Sequence, residues 1–376
     1  MKTKTDREQG SRRRDRAMLG VYIHIPFCRS LCPYCDFVRQ PLAGGVPRPF
    51  TDALCGELES FDGPAEADTV YVGGGTPSLL APDDLGRILA AVRRRFTLVD
   101  PEVTIEANPD DCAPALADAW QDLGVNRVSL GVQSFDDRVL RYLGRRHDAA
   151  GARRACELVA DRFDNWGMDL IFGAHPSDAW SATLTAALAY APPHLSTYGL
   201  TYERGTPFGE RREEAIDDAT WLRLYRQAHA ELTGYVRYEI SNFARPGREC
   251  RHNLIYWRNE EYAGFGPGAY SFLDGVRSRN LTALADYVAS PDEKGEALHL
   301  TDREIRTETV IQHLRLKSGL KKKDYYRRFG RDVCNDFGPA IAGLVKRGLL
   351  AEDTKVIRPT AFGFELNTEI GLELVD

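Results

Sequence analysis

Three cysteines lie close together near the start of the chain. Cys28, Cys32 and Cys35 have the spacing CxxxCxxC in the segment YIHIPFCRSLCPYCDF, directly after a predicted strand. Thiolates are the preferred ligands of iron–sulfur clusters, and three of them in one short loop can each bind a different iron atom. Position 37 is a phenylalanine, so the loop offers no cysteine there. The pattern predicts a [4Fe–4S] cluster with one iron atom open to another ligand.

Structural zinc is the main alternative for these cysteines. It normally takes four ligands, often from two CxxC pairs, and a fourth ligand is missing nearby. A chance grouping would have to place three cysteines within eight residues. The chain has five further cysteines, which we interpret as structural: Cys55, Cys112, Cys156, Cys250 and Cys334. For Cys250, which lies two residues before His252, a second thiolate ligand is the alternative. Neither the length nor the N-terminal sequence suggests secretion, so we expect a reducing, cytoplasmic location rather than disulfides.

Several polar or glycine-rich segments follow predicted strands. The turn Gly73-Gly74-Gly75-Thr76-Pro77 is one, and its glycines allow a ligand to approach the backbone closely. Glu106 ends the next strand and can accept hydrogen bonds from an amine or from ribose hydroxyls. Gln133 ends the strand after that. Asp169 lies inside an otherwise apolar strand, so its carboxyl group needs a hydrogen-bonding partner. Tight turns and surface carboxylates are the plain alternatives.

The elements that must position these residues alternate along the first half of the chain. Six short apolar runs are predicted strands: 21–25, 69–72, 102–107, 127–131, 167–172 and 194–200. Helix-like stretches separate them at 48–60, 82–96, 114–123, 136–163 and 178–190. Alternating strands and helices indicate βαβ units and a parallel sheet. The predicted fold class is α/β, a partial (β/α)6 barrel, in which functional residues collect at the C-terminal ends of the strands.

The pattern changes in the second half. Residues 210–233 predict one helix, 236–243 a strand, and 264–268 (GFGPG) a glycine-rich loop. Charged helices are predicted at 303–316, 322–329 and 335–347, followed by two short apolar runs that suggest a winged-helix-like module. The predicted organisation is a disordered basic leader (1–19), a core barrel (20–240), a barrel extension (241–300) and a C-terminal helical module (301–376).

The cysteine segment and its neighbours resemble the radical-SAM superfamily, and the resemblance runs from about Tyr22 to the C-terminus. It is strongest to the branch that contains the oxygen-independent coproporphyrinogen oxidase and a related heme chaperone. It implies a [4Fe–4S] cluster that binds S-adenosylmethionine and cleaves it reductively. Arg145 fits the family's arginine twelve residues after the glutamine, although a solvated helix charge is its alternative. The resemblance assigns the following residues to the cofactor: Tyr22, Tyr34, Gly74, Gly75, Thr76, Glu106, Gln133, Arg145, Asp169 and Thr201.

Two features favour the heme chaperone within this branch. The oxidase pattern is CxxxCxxCxC, whereas this chain has Phe37 at the last position. The segment His252-Asn253-Leu254-Ile255-Tyr256-Trp257 resembles an HNxxYW element that is linked to heme binding. A histidine nitrogen can ligate heme iron, and Tyr256 and Trp257 can stack on a porphyrin. A packed, hydrogen-bonded histidine is the alternative. Enzymatic decarboxylation of coproporphyrinogen III stays open as a second function.

Composition limits the partners. The chain has 376 residues, 43% of them hydrophobic and 28% charged, with a net charge of −6. An acidic body disfavours nucleic acid, because phosphate contacts need a basic surface. No apolar run approaches the roughly 20 residues of a membrane span, so we expect at most peripheral membrane contact. Expected partners are heme, an acceptor hemoprotein and an electron donor for the cluster, with the chain as a monomer or dimer.

Overall fold

A computed structural model describes residues 19–42 and 44–375 of the chain, without the side chain of Asp178. The predicted basic leader, apart from its last residue, lies outside the described residues. The strands, in chain order, are β1 (Gly20–Ile25), β2 (Phe27–Cys28), β3 (Gln40–Pro41), β4 (Glu66–Gly74), β5 (Thr97–Ala107), β6 (Arg127–Gln133), β7 (Trp166–Phe172), β8 (His194–Gly199), β9 (Val236–Arg237), β10 (Asn242–Ala244), β11 (Tyr262–Phe265), β12 (Tyr270–Leu273), β13 (Val276–Asn280), β14 (Lys294–His299), β15 (Leu320–Lys321), β16 (Leu350–Glu352) and β17 (Val356–Pro359).

Helices connect and cover these strands. They are α1 (Arg48–Ser60), α2 (Pro82–Arg95), α3 (Pro114–Asp122), α4 (Asp137–Tyr142), α5 (Ala149–Arg162), α6 (Trp180–Ala189), α7 (Asp218–Glu231), α8 (Arg251–Trp257), α9 (Leu284–Ala289), α10 (Asp302–His313), α11 (Lys322–Phe329), α12 (Val333–Lys346), α13 (Ala361–Glu365) and α14 (Asn367–Val375). No helix in the described part of the chain is long and apolar enough to cross a membrane.

The main sheet is mixed and has the strand order β14-β13-β12-β11-β1-β4-β5-β6-β7-β8-β10-β9. Strands β1, β4, β5, β6, β7 and β8 are parallel to their neighbours in this series, and helices link them as predicted. Strand β11 continues the parallel part beside β1, and antiparallel strands complete both edges. The sheet order is linear, so the (β/α)6 barrel is partial, as the sequence predicts.

The two faces of the parallel strands differ in chemistry, and strand β6 illustrates this. Its Val128, Leu130 and Val132 belong to the main apolar core between strands and helices. The alternate residues Arg127, Ser129, Gly131 and Gln133 line a central cavity instead. Because side chains of a strand point to opposite faces in turn, one strand supplies both the core and the cavity wall. The barrel therefore has an apolar outer layer and a polar interior.

The C-terminal part has a second apolar core, formed by residues between Val310 and Leu374. The elements α10, β15, α11, α12, β16 and β17 follow one another in a winged-helix order, with the three strands in the order β15-β17-β16. A capping box starts α10, where the Thr301 side chain accepts from the backbone N–H of Glu304. The winged-helix-like module is therefore confirmed. The domain boundaries given above stay a prediction.

Three of the predicted elements are wrong in detail. The stretch 136–163 forms two helices, α4 and α5, because Gly144 takes a left-handed conformation (φ 66°) between them. The predicted helix 210–233 begins only at Asp218, where Asp217 caps the first turn. The predicted strand 236–243 is divided into β9 and β10, which pair antiparallel as a tight hairpin.

Candidate functional site

A cavity of about 490 Å³ occupies the interior of the barrel and opens at the C-terminal ends of the parallel strands. The loop of the three cysteines lies at this opening, which we call the mouth. The predicted site residues that line the cavity are Cys28, Cys32, Tyr34, Cys35, Gly74, Gly75, Thr76, Glu106, Gln133, Arg145, Asp169 and Thr201. Residues from most of the parallel strands therefore meet in one place, as expected for a parallel α/β barrel.

The cysteine loop places its sulfurs beside donors and cations. Cys28 is 7% exposed and accepts from the Thr76 hydroxyl at 3.5 Å, whereas Cys32 accepts from Arg145 Nη1 at 3.4 Å. Burial raises the pKa of the Cys28 and Cys35 thiols, and the neighbouring Arg145 and Arg39 partly offset this. Because metal ligands must be thiolates, these cations favour the form that an iron–sulfur cluster needs.

The three sulfurs do not converge on one point. Among the described residues, no group of three His, Cys, Asp or Glu side chains is arranged to hold a single metal ion. A four-iron cluster makes a different demand, since each thiolate binds a separate iron atom at a separate corner. Cys28, Cys32 and Cys35 line one wall of the same cavity, so this donor set fits a cluster.

The glycine turn after β4 lies against the backbone of the cysteine segment. Gly74 has a φ of 110°, a conformation that favours glycine. A Cβ atom on Gly75 would lie 2.6 Å from the carbonyl oxygen of Phe27. A side chain at either position would therefore clash or be strained, so the three-glycine run is a packing requirement. It leaves room for a ligand above the turn.

Glu106 is fixed at the end of β5 by two donors. Its Oε1 accepts from the Tyr71 hydroxyl at 2.7 Å, and its Oε2 accepts from the backbone N–H of Gly74 at 3.0 Å. Burial, with a smaller contribution from Asp169, raises the pKa of Glu106 to about 7. The native carboxyl group thus holds its proton to a higher pH than the unfolded one, whose ordinary value is 4.5. The contribution of this protonated carboxyl group to the stability of the native state is complete below pH 4.5. It is lost as the pH rises through about 7.

Arg145 is held in the turn between α4 and α5, directly after Gly144. It donates to the carbonyl oxygen of Gly131 at 3.1 Å, to Asn108 Oδ1 and to Cys32 Sγ. Its Nε atom is buried without a partner among the described residues. The solvated-charge alternative is wrong, because the side chain points into the cavity. An unpaired donor beside the cysteines is suited to an anionic or polar ligand group.

Asp169 and Gln133 complete the wall of the cavity. Asp169 accepts from the Ser129 hydroxyl at 3.0 Å, and burial raises its pKa. Gln133 has a φ of 65°, which is uncommon outside glycine and marks a strained position at the end of β6. Both side chains are half-buried and face the same space.

Tyr22 is the predicted cofactor residue of the barrel that does not line the cavity. Its hydroxyl hydrogen-bonds His24 Nδ1 at 3.0 Å, and its ring stacks on Tyr71 with a centroid distance of 6.2 Å. Tyr71 in turn holds Glu106. Tyr22 therefore lies one layer behind the cavity wall, and any effect on a ligand is indirect.

Asn108 is a cavity residue that sequence reasoning missed. Its Nδ2 donates to the Thr76 hydroxyl at 3.1 Å, and its Oδ1 accepts from Arg145. It thereby joins the glycine turn to the arginine. Its place two residues after Glu106, at the end of a predicted strand, was the available signal.

Comparison with known proteins agrees with this geometry. Residues 22–180 match the radical-SAM superfamily, and residues 300–366 match the HemN C-terminal domain. A protein of Lactococcus lactis named heme chaperone HemW is 34% identical over 364 residues, which is 93% of this chain and 96% of that protein. The HemW of Escherichia coli is 40% identical over 270 residues, or 68% of this chain and 71% of its own length. This chain belongs to the HemW family of radical-SAM proteins.

The fold has a solved relative as well. The structure titled coproporphyrinogen III oxidase (HemN) from Escherichia coli superposes with a TM-score of 0.82, covering 99% of this chain and 93% of that one at 23% identity. This similarity shows the radical-SAM fold alone. The radical-SAM family implies S-adenosylmethionine and a [4Fe–4S] cluster, and the cysteines, the glycine turn and the unpaired Nε of Arg145 fit both groups.

The HNxxYW element of this HemW-family chain lies away from the mouth, on the short helix α8. His252 is 1% exposed, and both of its ring nitrogens are occupied. Its Nδ1 bonds the Thr69 hydroxyl at 2.7 Å, and its Nε2 bonds the Tyr256 hydroxyl at 2.9 Å. Its ring also stacks on Tyr71 at 5.0 Å. Burial lowers the pKa of His252 to about 3, so the ring is neutral.

These residues do not fit a heme in this conformation. A heme ligand needs a free nitrogen and an open approach to it, and His252 has neither. The Trp257 ring is covered by the guanidinium of Arg315 at 4.4 Å from the ring centroid. The heme assignment of His252, Tyr256 and Trp257 is therefore not supported by the structure, and the packed-histidine alternative describes it better. The element instead packs behind Tyr71, which holds Glu106.

Proposed function

We propose that this protein is a heme chaperone, which binds heme and passes it to an acceptor hemoprotein. The observation that carries the proposal is identity over almost the whole chain with proteins named heme chaperone HemW, 34% across 96% of one of them. Shared fold alone would not support it, because one fold hosts many functions. A cytoplasmic location, an acceptor hemoprotein and an electron donor for the cluster are part of the same proposal.

The mouth of the barrel is the proposed cofactor site. Cys28, Cys32 and Cys35 would hold the cluster, and the open iron would bind the methionine part of S-adenosylmethionine. When bound, the pair supplies one-electron chemistry, whose difficult step belongs to the cofactor. The protein contributes orientation and electrostatics. Arg145 places positive charge beside the cluster cysteines, with its Nη1 atom 3.4 Å from Cys32 Sγ.

The remaining wall residues would orient S-adenosylmethionine. Glu106 is the candidate acceptor for its amino group or ribose, since a carboxylate accepts charge-assisted hydrogen bonds. The backbone of Gly74 and Gly75 is open to close approach, and Gln133 and Asp169 offer further polar contacts. Thr201 and Tyr34 line the same cavity. The contact of Tyr22 with the cofactor stays a prediction.

The test measures whether the protein binds heme and transfers it to an acceptor protein. The protein is reconstituted without oxygen, loaded with one equivalent of heme, and mixed with an apo-hemoprotein whose heme spectrum is distinct. We expect the acceptor spectrum to appear with the cluster intact. A Cys32→Ser variant, measured in parallel, reports whether heme binds to exposed cluster cysteines rather than to its own site. Absence of heme binding, or of transfer to several acceptors, contradicts the proposal.

Radical decarboxylation of coproporphyrinogen III is the second candidate, because the HemN enzyme has the same fold. Phe37 disfavours it, since it replaces the additional cysteine of the oxidase pattern and is 59% exposed at the rim of the cavity. The reconstituted protein is incubated with coproporphyrinogen III and a reductant. Formation of protoporphyrinogen IX would establish an enzyme, whereas the chaperone proposal expects none.

A further inference from the structure

The cavity has a second polar end below the mouth. The two ends are about 20 Å apart, because six residues of a strand span about that distance. We call this end the floor and define it by Arg127, Gly167, His194 and Asn253. Arg127 and His194 are the first residues of β6 and β8, and Gly167 is the second residue of β7 between them. Arg127, His194 and Asn253 line the same cavity as the cofactor residues. The floor thus lies at the strand ends opposite to the proposed cofactor site.

Arg127 is a buried cation without hydrogen-bonded partners. It is 1% exposed, and its Nε and Nη1 atoms have no partner among the described residues. A guanidinium that is removed from water and left unpaired is strongly unfavourable, so native proteins rarely retain one. Arginine also presents a rigid fork of donors that matches a carboxylate. Arg127 lines the cavity, and a carboxylate group bound there would complete this fork.

His194 faces Arg127 across a gap that a glycine leaves open. A Cβ atom on Gly167 would lie 3.0 Å from His194 Nδ1 and 3.4 Å from Arg127 Nη2. The Nδ1 atom is buried without a partner, whereas Nε2 bonds the Tyr238 hydroxyl at 2.9 Å. If that hydroxyl donates to Nε2, the ring proton is on Nδ1. The unpaired Nδ1 of His194 and the Nη2 atom of Arg127 then border the space where Gly167 has no side chain.

The groups around Arg127 offset its charge without accepting its hydrogen bonds. Its electrostatic neighbours include Glu102, Cys250, Tyr71 and Tyr238, and its charge also acts on the carboxyl groups of Glu106 and Asp169. Burial raises the pKa of Cys250 to about 12 and raises that of both tyrosines, so these three are neutral. Glu102 has a carboxyl group whose Oε1 already accepts from the backbone N–H of His252. It offsets the charge of Arg127 without occupying the donor fork.

We propose that the floor is a binding site for the carboxylate group of a small acidic molecule, held by Arg127 and His194 across Gly167. The rest of the molecule would extend toward the mouth, along a wall that carries the hydroxyl groups of Ser129 and Ser196. A molecule bound there would lie in the same cavity as the proposed cofactor site, below it. The proposal does not depend on heme transfer, and either can fail while the other stands.

The test uses succinate as the probe and its neutral analogue succinamide as the control ligand. Binding to the reconstituted, cluster-loaded protein is measured by calorimetry in a buffer without carboxylates, with thermal unfolding as a second readout. We expect succinate to bind and to raise the unfolding temperature, and succinamide to bind at least about tenfold more weakly, because charge-assisted bonds are lost. Inorganic phosphate is tested separately, and tighter binding of phosphate than of succinate overturns the carboxylate assignment.

Two variants locate the site. Arg127→Gln should weaken succinate binding by about tenfold or more, whereas Arg248→Gln, on an exposed loop, should leave it within about twofold. Gly167→Ala removes no charge but places a methyl group between the two donors, and it should weaken binding similarly. Gly56→Ala, where a Cβ meets nothing within 4 Å, is its control.

The alternative is that Arg127 only balances Glu102. In that case succinate binding is absent, or is the same in Arg127→Gln and Gly167→Ala as in the native protein. The ligand-site proposal expects both variants to weaken succinate binding. The unfolding temperature without ligand does not separate the two interpretations, because loss of Arg127 leaves the buried carboxyl group of Glu102 without its counter-charge in either case. If Arg127→Gln does not fold, the Gly167→Ala result decides.

Discussion

The mouth and the floor of this barrel are built from the two ends of the same strands, yet they differ in how their polar groups are satisfied. At the mouth, Glu106 and Asp169 accept hydrogen bonds, and Arg145 donates to three acceptors. Its Nε is the one nitrogen of Arg145 that is buried without a partner among the described residues. At the floor, Arg127 has two such nitrogen atoms and His194 has one. Contacts within the protein therefore fix the side chains at the mouth more completely than those at the floor.

The mouth and the floor also differ in how far the sequence reveals them. The mouth can be recognised from spacing, because cysteines in one loop and three glycines in one turn are unusual in any context. Nothing in the local sequence around Arg127 or His194 suggests chemistry, since each is a single polar residue at the start of an apolar strand. Only the neighbouring strands, which the fold brings together, show that the two face the same gap.

Replacement of one cluster cysteine should have the largest effect. In Cys32→Ser, a hydroxyl replaces the thiolate that receives the Arg145 hydrogen bond, and hydroxyls are poor ligands for iron–sulfur clusters. We expect complete loss of the [4Fe–4S] absorbance after anaerobic reconstitution, together with loss of S-adenosylmethionine binding. Cys334→Ser, at a half-buried cysteine on α12, is the control and should keep both. Full retention of the cluster in Cys32→Ser would contradict the assignment of the mouth.

Glu106→Gln should give the next largest effect. The amide cannot accept from both Gly74 and Tyr71 as the carboxylate does, and it cannot pair with a cationic amino group. Loss of a charge-assisted hydrogen bond is worth roughly 1.5–3 kcal/mol, so the affinity for S-adenosylmethionine should fall by about ten- to a hundredfold. Glu157→Gln, at an exposed position on α5, should leave the affinity unchanged in the same calorimetric titration.

The pH dependence of that affinity sharpens the assignment. The pKa of Glu106 is raised to about 7, mainly by burial, so the carboxylate forms only above that value. Affinity for S-adenosylmethionine in the native protein should therefore weaken as the pH falls from about 8 to about 6, by up to about tenfold per pH unit. Glu106→Gln has no such group, and its affinity should be flat over this range. A pH dependence that persists in the variant would assign the titration to another residue, such as Asp169.

The sequence predicted most of the barrel because its strands and helices have strong local patterns. All six parallel strands and the winged-helix order are confirmed. The incorrect predictions share a physical cause. Local sequence patterns do not show where a helix breaks or which distant residues a side chain contacts. The break at Gly144 is set by the turn that delivers Arg145 to Cys32.

His252 shows the same limit at the level of a site. Its motif suggested a heme ligand, but hydroxyl groups occupy both of its ring nitrogens. The Tyr256 hydroxyl lies one helical turn away in the sequence, whereas the Thr69 hydroxyl lies 183 residues away. The distant partner decides whether the histidine is free, and no spacing within HNxxYW carries that information. The Arg127–Gly167–His194 arrangement was missed for the same reason.

His252→Ala should give the smallest effect on ligands and a clear effect on stability. The substitution leaves the Thr69 and Tyr256 hydroxyls buried without their partner and opens space beside Tyr71. We expect a loss of about 2–3 kcal/mol in the free energy of unfolding, measured with denaturant. His252 stacks on Tyr71, which in turn holds Glu106, so the effect on the cofactor site is indirect. The affinity for S-adenosylmethionine should therefore fall by roughly threefold.

Heme affinity is the decisive comparison for this variant. It should stay within about twofold of the native value, since His252 has no nitrogen free for iron. His229→Ala, at an exposed histidine on α7, is the control for non-specific heme binding. A tenfold loss of heme affinity in His252→Ala with unchanged stability would mean that α8 opens to expose the ring. Helix α8 would then be part of a heme site, and its role would not be to support Tyr71 and Glu106.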